Sequence, residues 1–434
     1  MELNHGAHLA YCTNVHHGQN WPETLDSLQK YTLAVRSRVC PGRRFAIGLR
    51  LSSRAATELA DGQTLLEFQR WMEKNDCYIF TINGFPYGRF HGGPVKEKVY
   101  LPDWTSADRL DYTNLLFDLL VRLLPDGVAG SVSTLPGGFK EFVQTEEQVK
   151  SIRQNLWRCV EHASRLSEQT GKQLHLGLEP EPLCLLENST ETISFMAKMR
   201  DEHKNDPRLN EYLGVNYDCC HFAVEFEEPQ NALPAFEKAG VRISKVHLSS
   251  ALKTTATPDA PAALKKFSDD VYLHQVIVRD PDGQIQFFRD LPDALKDLPE
   301  NILGIKSPAD KHGRTSGPTG RSALPGSIGT MNRAGKMPAP PKGSREENSG
   351  FPEWRIHFHV PLHAPAILPF QNTSDHLSGV LDWLEKNPKA CSHLEMETYT
   401  WEVLPPELKS RTVVEQLAAE YDWTLAELAK RGLA

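Results

Sequence analysis

No stretch of this chain approaches the ~18 consecutive apolar residues of a membrane-spanning helix, so no membrane span is expected. The eight cysteines, Cys12, Cys40, Cys77, Cys159, Cys184, Cys219, Cys220 and Cys391, form no C-x-x-C pair. Scattered through a long chain, they read as reduced thiols. The first residues, Met-Glu-Leu-Asn-His-Gly, lack the basic and apolar regions of a signal peptide, and a cytoplasmic protein is expected. Basic charge is short as well, with 48 Lys and Arg against 56 Asp and Glu. Phosphate binding needs a basic surface, which argues against nucleic acid as the main partner. There is no full phosphate-loop pattern, and Leu135-Pro-Gly-Gly-Phe-Lys140 reads as a turn. What is present, 40% hydrophobic and 24% charged residues, is ordinary globular composition able to bury a sizeable core.

Short apolar runs alternate with helical patterns for most of the length. Strand candidates are His8–Thr13, Phe45–Leu51, Tyr78–Asn83, Val128–Thr134, Leu174–Glu179, Leu213–Asp218 and Ile243–Leu248. Near-continuous apolar runs suit parallel strands buried on both faces. Between them, Glu146–Gln169 and Glu191–Lys204 carry apolar residues at three- and four-residue intervals. Starts every 30 to 50 residues or so match βα units, and seven of these by residue ~250 favour a closed (β/α)8 barrel over an open sheet. The eighth strand is placed at His393–Thr398, followed by a last helix over Val413–Lys430. One barrel domain over residues 1–434 is expected.

Two interruptions precede that eighth strand. A β-hairpin is expected over Val271–Val278 and Gln284–Leu291 around the turn Asp280-Pro-Asp-Gly283, with Trp354–Leu362 as a further strand beside it at the barrel mouth. Lys306–Gly350 has no aromatic residue and carries eight Lys/Arg against three Asp/Glu, so it reads as a disordered insertion. Deleting it and joining the flanks is expected to change thermal unfolding little, because closure cost varies slowly with loop length. A fall of about 10 °C or more in the melting temperature would show instead that it contributes to the folded barrel.

Four strand ends bear metal-ligand residue types: Glu179-Pro-Glu181-Pro, Asp218-Cys-Cys-His221, His247, and Glu395 with Glu397. Parallel barrel strands bring these ends to one face. One acidic residue after an apolar run looks like a helix cap, but four successive ends do not. Carboxylates with imidazole suit Mn²⁺, Zn²⁺, Co²⁺ or Fe²⁺ ahead of Mg²⁺. Glu395 shares a face with Glu397; Glu397 is preferred because it sits nearer the strand's C-terminal end. His357 and His359 also share one strand face and can take an ion between them. His274 belongs to the same histidine-rich annex, and His91 follows the third strand toward the mouth.

These motifs resemble the xylose isomerase-like barrel superfamily, which includes sugar isomerases, ketose and inositol-type epimerases, and endonuclease IV-like phosphodiesterases. The likeness covers the chain outside Lys306–Gly350. Asn83-Gly-Phe-Pro-Tyr-Gly88, His357-x-His359 and Glu397-Thr-Tyr-Thr-Trp401 further resemble the barrel protein of ebo-type metabolite-traffic clusters, a subgroup that lends no reaction. The superfamily implies Glu179, Asp218, His247 and Glu397 as metal ligands, with Glu179 and Glu397 moving a proton on a small hydroxy-carbonyl substrate. His221, His357, His359, His274, Glu181, Glu395 and His91 would contact substrate or hold a second ion, substrate contact being the first expectation. Glu181 stands where aldose isomerases of this group carry Lys, which argues against their hydride shift. Three readings remain: an isomerase or epimerase, an endonuclease IV-like hydrolase with two or three ions, and a non-catalytic binding barrel.

Overall fold

The computed structural model describes residues 1–255, 260–296, 351–364, 369–406 and 409–434. The expected apolar runs become parallel strands β1 (His8–Tyr11), β2 (Phe45–Arg50), β3 (Cys77–Asn83), β4 (Gly130–Thr134) and β5 (Leu174–Leu178), followed by β6 (Leu213–Asp218) and β7 (Arg242–Leu248). A separate group follows: β8 (Ala251–Thr255), β9 (Val276–Arg279), β10 (Ile285–Phe288), β11 (Glu353–His359) and β12 (Phe370–Asn372). β13 (His393–Met396) then returns to the barrel, between β1 and β7. The barrel order is β1-β13-β7-β6-β5-β4-β3-β2, and a parallel bridge between Cys12 and Gly48 joins its two ends. The architecture is the (β/α)8 barrel. Among the described residues no helix is long and apolar enough to cross a membrane.

The outer helices form where local signals and an apolar stripe agree. Glu146–Thr170 starts with a capping box between Thr145 and Gln148 and ends at Gly171, whose φ of +70° suits glycine. It buries Ile152, Leu156, Cys159, Val160 and Ala163, at helical spacing. Each large aliphatic contributes roughly 1.5–3 kcal/mol. The last helix, Val413–Lys430, has a capping box between Thr412 and Glu415.

That last helix also buries a carboxyl. Glu420 is fully buried; Oε1 accepts from Thr398 Oγ1 at 2.8 Å and from the Leu362 N–H at 3.1 Å. Burial outweighs those bonds and pushes its pKa up to about 7 from 4.5. The folded chain therefore holds this proton more tightly than the unfolded one, and the group's contribution to stability falls as pH rises through that window. Glu420→Gln, which mimics the protonated form, should gain up to ~3 kcal/mol over the parent at pH 8 and little at pH 4.5, read by urea unfolding. An equal difference at both pH values would refute the buried-carboxyl account.

The annex departs from expectation in detail. It is a five-stranded antiparallel sheet, order β10-β9-β11-β8-β12, with its own core of Leu252, Phe267, Val276, Val278, Trp354, Ile356 and Phe358. The expected hairpin is shorter than Val271–Val278 and Gln284–Leu291. Val271–Gln275 is not strand, because side chains take its backbone: Asp269 Oδ1 accepts from the Val271 and Tyr272 N–H groups, and Asp290 Oδ1 from that of His274. Leu291 opens a short helix, Leu291–Lys296, and the expected strand Trp354–Leu362 spans Glu353–His359. Because β11 alternates, Trp354, Ile356 and Phe358 enter the annex core, leaving His357 and His359 for the opposite, barrel-facing side. The expected insertion Lys306–Gly350 lies outside the described residues.

Candidate metal centre

Period-two alternation carries a polar axis up the barrel. Near one end Ser131 Oγ donates to Thr81 Oγ1 and meets His393 Nδ1, each at 2.8 Å. Above them Lys245 Nζ donates to Glu395 Oε2 (2.5 Å) and Ser133 Oγ (2.9 Å), all buried. Room for Glu395 depends on Gly48, where a Cβ would stand 2.0 Å from Glu395 Oε1. Two residues beyond Lys245 and Glu395 come His247 and Glu397, which meet Asp218 at the end of β6 and Glu179 just after β5, ligand atoms from all four lying within 4.8 Å of one another.

His247 is the centre of this group. Its Nε2 donates to Glu395 Oε2 at 2.8 Å. Its Nδ1 faces Glu179 Oε1 at 2.9 Å, Glu397 Oε2 at 3.0 Å and Asp218 Oδ2 at 3.3 Å. One nitrogen carries at most one proton, yet three buried carboxylate oxygens crowd it. Three carboxylates and one imidazole lone pair around a point are a divalent-cation donor set, and these residues fit a metal ion. Their charge states agree. Burial opposes ionisation of Glu179 and Asp218, but the imidazoles of His247 and His221 outweigh it, holding Glu179 below the usual range and Asp218 far below. Burial would equally strip His247, but Glu397 and Glu179 hold its pKa well above the imidazole range.

The second oxygens of Asp218 and Glu397 are fixed from behind, as ligands need. Asp218 Oδ1 accepts from Ser249 Oγ (2.7 Å) and from the His221 N–H (3.0 Å), capping the short helix Cys219–Val224. Asp218 is thus a cap and a candidate ligand at once, one oxygen for each. Glu397 Oε1 accepts from Asn14 Nδ2 (2.7 Å) and Asn83 Nδ2 (3.3 Å). Sequence reasoning missed Asn14, Ser249 and Lys245; only Lys245 left a signal, two residues before His247 on one strand face.

A second group adjoins the first. His221, His357 and His359 have ring centroids 4.6 to 5.7 Å apart. Each anchors Nδ1 on an oxygen that can only accept. His221 Nδ1 donates to Pro180 O (3.0 Å), and His359 Nδ1 to the Glu397 carbonyl (2.8 Å). His357 Nδ1 donates to Gln275 Oε1 (2.7 Å), whose amide is oriented by Nε2 donating to Pro182 O. In neutral rings all three Nε2 atoms would be lone pairs, but Asp218 and Glu181 raise the His221 pKa against burial, which favours a proton on its Nε2. His221 and His357 Nε2 lie 3.1 Å apart, and His359 Nε2 has no hydrogen-bond partner among the described residues. Lone pairs do not approach so closely without a proton or cation between them. His221 Nε2 is also 4.0 Å from Asp218 Oδ1, and Glu181 joins His221 and His357 in a further potential ligand group. Burial pushes the Glu181 carboxyl up to about 7, against His221 and the Tyr100 hydroxyl.

The remaining sequence candidates are not brought into this group. Glu395 sits beneath it, engaged by Lys245 and His247. His274 is fully buried, with Nδ1 on His357 O and Nε2 on Asp269 Oδ2. Both nitrogens of His91 are taken, by Asn14 O and Tyr272 Oη.

No family model and no curated protein matches the chain. Among solved structures it is similar to an L-ribulose 3-epimerase, at 16% identity over 57% of this chain and 69% of that one, TM-score 0.37. It is similar to a D-allulose 3-epimerase from Methylomonas sp. in complex with D-allulose, at 13% identity over 57% and 73%, TM-score 0.35. A third is a xylose isomerase domain protein from Alicyclobacillus acidocaldarius, at 14% identity over 56% and 72%, TM-score 0.33.

Proposed function

We propose that this barrel is a metal-dependent isomerase or epimerase that moves a proton on a small hydroxy-carbonyl metabolite. The observation that carries the reading is the crowding of Glu179, Asp218 and Glu397 around His247 Nδ1 at the floor of a cavity that Glu179 and Glu397 both line. A divalent cation bound there supplies polarisation of the substrate's carbonyl and hydroxyl oxygens. Glu179 directly follows β5 and Glu397 directly follows β13, so the two carboxylates reach the floor from different strands of the barrel. One takes the proton from carbon and the other returns it. Asn14 and Asn83 hold Glu397 in place, and Lys245 with Glu395 holds His247. Likeness to the ebo-type subgroup supports a station in metabolite traffic. The test is solvent deuterium incorporation into dihydroxyacetone by Mn²⁺-loaded protein. Binding without exchange would favour a non-catalytic barrel.

The three convergent histidine Nε2 atoms favour a second reading, a two-ion hydrolase in which His221, His357 and His359 would hold the second ion. His357→Ala with His359→Ala should then remove about one metal per chain by elemental analysis and leave the other, because the floor's ligands come from barrel strands. Unchanged metal with weaker ligand binding would assign these histidines to substrate and remove the hydrolase reading.

A further inference from the structure

The walls of the cavity above this floor are of a different character. Phe85, Phe90, Val99, Tyr100, Tyr272 and Tyr399 line it. Phe90, Tyr272 and Tyr399 form one aromatic cluster, ring centroids 5.1 to 5.4 Å apart, while Phe85 stacks on Tyr100 at 5.6 Å.

On the aromatic side of the cavity the polar atoms are already engaged with the protein, whereas Asn14 Oδ1, which also lines the cavity and has no hydrogen-bond partner among the described residues, lies beside Glu397 at the floor. The Tyr100 hydroxyl donates to Glu181 Oε1 (2.5 Å) and accepts from Gln275 Nε2 (2.9 Å). The Tyr272 hydroxyl is bound to His91 Nδ1 (2.7 Å). Lys96 Nζ has three protons and three acceptors: Asp269 O (2.8 Å), Tyr272 O (2.6 Å) and Asp290 Oδ2 (2.8 Å). The Tyr399 hydroxyl lies 3.4 Å from His357 Nε2. A polyol brings a hydroxyl on nearly every carbon, and each one pressed against such a wall would lose water without gaining a partner. A flat apolar body loses nothing there and gains ring contacts.

We infer that the ligand is bipartite: a two-oxygen, hydroxy-carbonyl head for the metal floor, joined to an aromatic or similarly flat apolar body that lies against Phe90, Tyr272 and Tyr399. The inference rests on the metal-dependent reading of the floor and narrows its substrate class away from free sugars.

Three hydroxamic acids with one chelating head and different tails test it by calorimetry on Mn²⁺-loaded protein. 3-Phenylpropionohydroxamate should bind about 30-fold more tightly than acetohydroxamate, as burial of a phenyl group implies. Threonohydroxamate, with a polyol tail, should bind no more tightly than acetohydroxamate. Phe90→Ala should take back most of the phenyl gain, and Val99→Asn serves the same purpose should the first variant fail to fold. Threonohydroxamate matching the phenyl compound, or a phenyl gain untouched by both variants, would overturn the bipartite ligand and leave the metal floor standing. If none of the three binds more tightly with Mn²⁺ than without it, the floor reading falls and this inference falls with it.

Discussion

Asp218→Asn is expected to leave a folded barrel that no longer retains its divalent cation, and Glu179→Ala and His247→Ala should behave alike. In each case one ligand of the crowded set is lost, while three of its four members remain. For Asp218→Asn the loss is charge with little change of shape. The amide's oxygen can still accept from Ser249 and the His221 N–H, so the cap of Cys219–Val224 survives. A neutral amide then replaces a carboxylate at the ion, and occupancy falls strongly. The parent protein has a second signature. Its His247 carries a proton when ion-free, held there by Glu397 and Glu179, and a cation competes for the same nitrogen. Zn²⁺ uptake at neutral pH should therefore release about one proton per chain, seen as a buffer-dependent heat in calorimetry. Retention of full metal by two of the three variants would sink the assignment of this floor as the metal site.

Strand positions were legible because burial on both faces writes an apolar run of fixed length. β6 begins and ends where the run Leu213–Asp218 does, and β7 differs from Ile243–Leu248 by one residue. Ligand types at the ends of such runs were legible for the same reason. Depth was harder to read. Alternation puts Glu395 and Glu397 on one face but does not say that Gly48 opens a pocket for the first, below the floor and beside Lys245. The annex misled where composition and local capping compete. Val271–Gln275 is rich in strand-forming residues, yet the Asp269 and Asp290 side chains claim its N–H groups. β8, Ala-Leu-Lys-Thr-Thr, is short and mixed, and it is strand because β11 and β12 flank it. Tautomers are further still from sequence. His357 is fixed by the Gln275 amide, 82 residues away, and that amide by the Pro182 carbonyl.

Lys245→Met should destabilise the barrel by about 3–5 kcal/mol, the usual cost of removing one partner from a buried ion pair. Lys245 and Glu395 are fully buried and 2.5 Å apart. Burial alone would raise the Glu395 carboxyl, but Lys245 and His247 outweigh it and lower its pKa to about 2. Lys245 is likewise held above its ordinary range by Glu395, against burial. Without the ammonium, the carboxylate keeps His247 and loses its full counter-charge. Adding Glu395→Gln to Lys245→Met removes that stranded charge, so the double variant should recover part of the stability, and urea unfolding of all four proteins measures the coupling. Glu395→Gln has a separate consequence. Its carboxylate fixes the tautomer of His247 by accepting from Nε2, and replacing such a partner typically lowers metal affinity by about 10–100-fold. Stability and metal affinity should therefore part company: the double variant regains the first and not the second. Full recovery of both in the double variant would mean that the pair serves only the barrel's interior and does not orient His247.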